Sequence, residues 1–376
     1  MKEIPDIVRK NLDIEHIMHA SCKYGYHYAG VKNSHKLFSL LISADIHHDS
    51  IRLERSVDYL NYYEALDGAI CLGDIMAENF NEDDGSWYTG SLLKSEKPYL
   101  TVIGNHDMGN GGPRSISATR KEAYEKFILP TDEKMKLNSD GKSYYVKYFD
   151  KYKLALIVLC NYDMSDELSD KEHFKVSHSA KIFSQEQIDW LSSTLLNMPK
   201  DHTVLIAMHA IPFPVKTVEC PFTQQNPEEP ASVPTSYGED NLLCDLIDAY
   251  KNGKKIDNEY KPLESYRDIL PTLSVKADFT LRGDGLFACY IAGHTHEDFV
   301  LKSEKYSDQV ALIFPSSSAH TWQNYCSDLP RAEGTKAEDC LTVLSLETEK
   351  REIRLVRVGS NFTLDMKERT YTVIDY

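Results

Sequence analysis

Leu37-Phe-Ser-Leu-Leu-Ile-Ser-Ala44 is an apolar run, broken only by serines, that stops abruptly at Asp45-Ile-His47. A run of this length without regular polar alternation suits a strand covered on both faces. The switch at its end puts a carboxylate and an imidazole just beyond the strand's carboxyl terminus. The pattern then repeats along the chain. Ala69 to Leu72 runs into Gly73-Asp74, and Tyr99 to Ile103 into Gly104-Asn-His-Asp107. Thr203 to Met208 runs into His209, and Phe287 to Ala292 into Gly293-His-Thr-His296. Leu154 to Leu159 is a further run of the same kind. Buried strands that each end on a polar, metal-binding side chain predict a layered α/β protein with its site at the strand ends.

Helices are expected between the strands. Glu54 to Tyr63 precedes the second strand, and Ala118 to Phe127 follows the Gly104 segment. The clearest is Gln185 to Met198, where Ser184 and Gln187 have capping-box spacing and Ile188, Leu191 and Leu195 form an apolar stripe that ends at Pro199. Beyond Gln309 the chain turns β-rich. Val310 to Phe314, Leu341 to Leu346 and Arg351 to Val358 read as strands, the last two joined by a polar hairpin at Glu347 to Lys350, and a terminal strand is expected near Thr370 to Ile374. The domain reading is a polar extension or docking segment over residues 1–36, then one large domain over 37–376, with a β-rich C-terminal part from 340. Residues 211–286, rich in Pro, Asn, Glu and Tyr and interrupted by a helix at Asn241 to Tyr250, read as an insertion or lid facing substrate.

Two cations a few ångströms apart repel one another. A site for them needs a bridging carboxylate, neutral imidazoles and an amide or carboxylate oxygen, all fixed on a rigid frame. In Asp45-x-His47 the two residues fall on one side of an extended segment, which lets both face a common centre. His294 and His296 have the same spacing. Taken singly, each fragment has a structural reading: histidines after strands are commonly hydrogen-bonded, and Gly-Asp and Gly-Asn are common turn dipeptides. Jointly and in this order they point to a metal site.

The order and chemistry of the five segments resemble those of the calcineurin-like metallophosphoesterases. That resemblance implies a four-layer α-β-β-α sandwich, two mixed β-sheets packed face to face with flanking helices. It implies two divalent metal ions (Mn, Fe or Zn), with Asp45, His47 and His296 on the first, Asn105, His209 and His294 on the second, and Asp74 bridging. The reaction it implies is hydrolysis of a small phosphodiester or phosphomonoester by a hydroxide shared between the metals. His106 would contact the phosphate and protonate the leaving group. An anhydride substrate (a nucleotidase or pyrophosphohydrolase activity) and a catalytically impaired metal-binding scaffold are the alternatives. One position departs from the family pattern: many members read GDxxD, the second Asp orienting the histidine, whereas Gly73-Asp-Ile-Met-Ala77 has alanine there. Glu78 and Asp107 are candidate substitutes.

Further residues are candidates for touching substrate. His48 adjoins the first ligand pair, Arg114 lies in the glycine-rich loop after Asp107, and His320 follows a Ser-rich turn. Arg282 reads as a turn residue ahead of the Gly293 strand.

Composition narrows the partners. The 376 residues carry 58 acidic and 42 basic side chains, a formal charge of −16. Such a chain repels polyanions, so stable nucleic-acid binding is not expected, and bound cations would reverse the sign only locally. No apolar stretch is long enough to span a bilayer, and residues 1–36 lack the apolar core of a secretory signal, so a cytoplasmic protein without membrane attachment is expected. Eight cysteines without a CxxC pair read as reduced thiols, several in buried strands.

Overall fold

The computed structural model describes residues 37–109, 112–163, 165–176, 182–211, 215–219, 242–296, 299–303, 305–306, 308–319, 338–359 and 371–376. The expected N-terminal extension, His320, and residues 212–214 and 220–241 of the expected lid lie outside them.

The strands in chain order are β1 (Leu37–Ser43), β2 (Gly68–Cys71), β3 (Tyr99–Thr101), β4 (Tyr145–Phe149), β5 (Leu154–Val158), β6 (Thr203–Ala207), β7 (Val215–Glu219), β8 (Lys255–Tyr260), β9 (Leu273–Asp278), β10 (Leu286–Ala292), β11 (Phe299–Ser303), β12 (Val310–Ile313), β13 (Cys340–Glu347), β14 (Glu352–Gly359) and β15 (Tyr371–Asp375). The helices are α1 (Ser50–Tyr62), α2 (Ser86–Leu92), α3 (Arg120–Phe127), α4 (Leu129–Met135), α5 (Gln185–Leu196) and α6 (Leu242–Lys251).

Two large mixed sheets carry the fold, and the first joins β1 to the strands from Cys340 onward. Its order is β15-β14-β13-β1-β2-β3, with β1, β2 and β3 parallel and β13 antiparallel to β1. The second runs β4-β5-β6-β10-β12-β11-β7, with a parallel centre of β5, β6, β10 and β12. The sheets pack face to face: the Phe38 ring meets Phe149 at 4.6 Å, and the Tyr145 hydroxyl of β4 reaches the backbone of Thr101 on β3. The core between them is continuous and apolar, as the uninterrupted strands required.

Helices flank this sandwich. Asp49 caps α1 by accepting the Arg52 amide, and α1 sets Leu53, Val57 and Leu60 against the outer face of the first sheet. At α5 the Ser184 side chain accepts the Gln187 amide, as expected, but the reciprocal half of the capping box is absent. The Gln187 amide instead turns inward to both backbone groups of Cys160, because a buried strand end offers it a donor and an acceptor at once. A complete capping box stands at α3, between Thr119 and Glu122. The described part of 211–286 belongs to the scaffold. Strand β7 extends the second sheet, α6 is buried against β10, and the β8–β9 hairpin packs on α5 with Gln185 bonded to both backbone groups of Ser274.

This topology places the carboxyl ends of β1, β2 and β3 opposite those of β6 and β10. The five motif segments therefore meet at one end of the sandwich.

Candidate metal centre

The three candidate ligand segments after β1, β2 and β10 leave their strands through left-handed backbone. Asp45, His47, His48, Asp74, His294 and His296 all have positive φ, between 44° and 72°. They are half of the non-glycine residues in that region among those described. Left-handed backbone costs an ordinary residue roughly 1–3 kcal/mol and persists only where its surroundings impose it. This corrects the extended geometry expected for Asp45-x-His47. The two side chains converge because the chain is kinked at both residues, since β1 has already ended at Ser43.

The kinks bring the expected ligands together in two groups. Asp45, His47, Asp74 and His296 form one, and Asp74, His209 and His294 form the other, with the donor atoms of each group within 4.8 Å of one another. Asp74 belongs to both. Asn105, buried, lies between Gly104 and His106, which both touch Asp74; its Oδ1 accepts the Tyr162 hydroxyl at 3.2 Å.

Glycine is required where these loops meet. A Cβ on Gly104 would lie 2.2 Å from Asp74 Oδ1 and 2.4 Å from Asp74 N, and one on Gly73 would lie 2.7 Å from His209 Nδ1. The motif glycines let backbone close on ligands.

Hydrogen bonds then fix which imidazole nitrogens face the centre. His47 Nδ1 donates to the Met76 carbonyl (3.2 Å) and His209 Nδ1 to the Leu72 carbonyl (2.7 Å), so in the neutral ring Nε2 is the nitrogen that carries the lone pair. His47 Nε2 faces His296 Nε2 at 3.1 Å, and His209 Nε2 faces His294 Nδ1 at 3.2 Å. Lone pairs this close repel unless a proton or a cation lies between them. Carboxylate oxygens, imidazole nitrogens and an adjacent amide are the donor set that suits a divalent transition metal. The residues fit such an ion.

The electrostatics are those of a site built around positive charge. Burial alone would raise the Asp74 carboxyl, but His209, 3.2 Å away, and His106 hold it well below the usual carboxylate range. Burial likewise opposes the charged form of His209, and the Asp74 and Asp45 carboxylates outweigh it, raising the imidazole to about 9. Burial is the largest influence on His47 and pushes it down.

His106 is held without the missing carboxylate. Its Nδ1 donates to the backbone carbonyl of Ala77 itself, and its Nε2 lies 3.9 Å from Asp74 Oδ2. Asp107 does other work: its carboxylate accepts the amides of Ile75, Met76 and Gly104 and so ties the Asp74 loop to the Asn105 loop.

Two of the expected substrate contacts, His48 and Arg114, have acidic partners within the protein. Both ring nitrogens of His48 face carboxylates, Asp83 at 2.6 Å and Glu82 at 3.3 Å, and the ring lies against Trp87. Arg114 pairs with Glu122 at 2.6 Å, donates to the Ser117 carbonyl and covers Phe174. Arg282 is a buried turn residue, as expected, donating to the carbonyls of Met198 and Asp284 and stacked on Tyr250. Sequence reasoning missed the Ala77 carbonyl, which any residue type would supply. It also missed Ser316, whose hydroxyl donates to the Asp45 carbonyl at 2.7 Å; the signal was the Ser-rich turn after β12.

Comparison with known proteins agrees with this geometry. The family model of the calcineurin-like phosphoesterases matches residues 38–298, well over half of the chain. The chain belongs to that family, whose members are hydrolases acting on phosphate esters. No curated protein matches it in sequence. Among solved structures it is similar to a purple acid phosphatase from yellow lupin (Lupinus luteus), with 11% identity, a TM-score of 0.43, and coverage of 91% of this chain and 54% of that one. The chain thus spans about half the length of the lupin enzyme. A protein of Thermus thermophilus has 10% identity and a TM-score of 0.39, over 90% of this chain and 99% of that one. The phosphopantetheinyl hydrolase of Mycobacterium tuberculosis has 14% identity and a TM-score of 0.36, over 74% and 89%. No helix among the described residues is long and apolar enough to cross a membrane.

Proposed function

We propose that the chain hydrolyses a small phosphodiester or phosphomonoester with two divalent cations, Mn, Fe or Zn. The first would be held by Asp45, His47 and His296, the second by Asn105, His209 and His294, with Asp74 between them. The observation that carries this reading is that the Asp74 carboxylate belongs to both donor groups. When bound, the cations would supply Lewis acidity and a water of lowered pKa.

The chain's own residues account for the rest. His106 gives Nδ1–H to the Ala77 carbonyl, which fixes the ring and leaves Nε2 beside Asp74 as the atom that hands a proton to the departing oxygen. The His106 amide donates to Asp74 Oδ1 at 2.9 Å, so the proton donor and the shared carboxylate move as one unit. A neutral carbonyl stabilises an imidazolium less than a carboxylate does, which suits substrates with good leaving groups.

A diester is favoured over a monoester. A terminal dianion calls for a further cation at the site, and the Arg114 guanidinium is already held by Glu122 and Ser117. The charge of −16 supports a small substrate, not nucleic acid. A cytoplasmic location is part of the proposal, supported by five buried cysteines among the described residues that form no disulfide. The test is hydrolysis of bis-p-nitrophenyl phosphate against p-nitrophenyl phosphate with added Mn²⁺. The diester should turn over faster, and a failure to cleave either would overturn the reading.

A further inference from the structure

The turn after β12 is bonded to the segment that carries Asp45 and His47. Ser316 Oγ donates to the Asp45 carbonyl at 2.7 Å. Ser317 N donates to the Ala44 carbonyl at 2.7 Å, and the Ser317 hydroxyl accepts the Ala44 amide at 3.2 Å while donating to the Cys340 carbonyl at 2.8 Å. One residue further, Asp49 Oδ2 accepts the Ala319 amide at 2.9 Å and faces the Ser318 hydroxyl at 3.4 Å. Ser316, Ser317, Ser318 and Asp49 are all buried.

The other end of the intervening chain is fastened to the same place. Glu338 pairs with Arg52 and with Arg55 at 3.2 Å, and Asp339 pairs with Arg55 at 2.6 Å and accepts the Tyr59 hydroxyl at 2.8 Å. Residues 316–319 and 338–340 thus grip Ala44 through Tyr59 from both sides. Between those grips lie Asp45, His47 and His48, all in left-handed backbone. An ordinary residue leaves that conformation unless its peptide groups are held. The Asp45 amide is held by the Gly73 carbonyl at 2.9 Å, and its carbonyl by Ser316.

We propose that Ser316, backed by Ser317, Ser318 and Asp49, positions the first metal group by clamping the Asp45 peptide in its left-handed turn. The inference rests on the two-cation reading above and adds positioning residues to it. None of these side chains is placed as a ligand. The Ser316 bond is to the Asp45 carbonyl, so its loss frees the peptide that aims the Asp45 and His47 side chains. The second group stands on the segments after β2, β3, β6 and β10; it meets the clamped segment through the shared Asp74 and through the His294 amide, which donates to the Asp45 carboxylate at 3.1 Å, so its ion should be affected less.

The experiment measures the two Mn²⁺ affinities of wild type and Ser316→Ala by competition with a chelator, with electron paramagnetic resonance separating coupled ion pairs from single ions. His47→Ala, which lacks a first-group ligand, marks the one-ion spectrum. Loss of one buried hydrogen bond should weaken the first ion about tenfold. The second affinity should fall less than the first, a selectivity that general destabilisation, followed separately through the melting temperature of the metal-free protein, would not give. Two ions bound as tightly in Ser316→Ala as in wild type would overturn the proposal while leaving the function intact. A wild-type chain that binds no Mn²⁺ would overturn both. Should Ser316→Ala not fold, Asp49→Asn, which keeps the volume and weakens the hold on residues 318–319, is measured the same way. An unchanged first affinity there overturns the proposal as well.

Discussion

Replacing Gly104 with alanine should dismantle the candidate metal centre through a single methyl group. The added Cβ would sit 2.2 Å from Asp74 Oδ1 and 2.4 Å from Asp74 N, more than an ångström inside ordinary contact for the nearer atom. The oxygen could swing away, but the amide nitrogen is backbone and cannot. The Asp74 loop would have to retreat, which breaks the bond from the His106 amide to Oδ1. Overpacking of this kind costs about 1–3 kcal/mol of stability. The effect on function should be larger, because Asp74 serves both donor groups and a 1 Å misplacement can cost about a hundredfold in rate. The assay is metal content by mass spectrometry together with diester turnover, with Gly90→Ala as the control. Gly90 lies inside α2 with nothing within 4 Å of an added methyl, so alanine there should stabilise by about 0.4–1 kcal/mol and leave metal and turnover alone. Full metal content and wild-type turnover in Gly104→Ala would refute the reasoning.

Three further outcomes follow from the same geometry. His106→Gln should keep its metals but lose about 10²–10⁴-fold in turnover of esters with poor leaving groups, and much less with p-nitrophenolate; equal losses on both substrates would remove the proton-donor role. In metal-free protein His209 is raised to about 9, so below that pH a cation must displace its proton. Metal affinity should therefore rise with pH up to about 9, with proton release detected by calorimetry in buffers of different ionisation enthalpy. Arg282→Ala should cost about 1–3 kcal/mol in urea denaturation, since it strips the donor from the buried carbonyl of Met198 and from that of Asp284, while turnover of the folded enzyme stays unchanged.

The parallel core of the fold was legible because buried strands leave uninterrupted apolar runs, and the clustering of the candidate ligands because those residues follow the runs directly. The edges were not. In β8 and β9 only Ile256, Tyr260, Leu273, Val275 and Ala277 are buried, and the polar residues between them gave 211–286 the look of a loop. Strand β4, half-exposed at the end of its sheet, was hidden for the same reason. At the site, side-chain chemistry could be read but backbone chemistry could not. Ala77 holds His106 with a carbonyl that every residue possesses, so the missing carboxylate could be noticed and its replacement could not. The convergence of Asp45 and His47 was expected for the wrong reason, because left-handed φ at two non-glycine residues has no signature in residue type. The pairing of Arg114 with Glu122, eight residues on, has no signature in the glycine-rich loop itself.

The most direct test of the central claim is the metal stoichiometry of the wild-type chain, purified without chelator and titrated with Mn²⁺, set beside that of Asp74→Asn. If one carboxylate joins two sites, wild type will bind close to two ions per chain, and Asp74→Asn will weaken both together. Two ions in wild type with only one affinity changed by the substitution would contradict the shared role of Asp74, and no bound metal under any condition would contradict the centre itself.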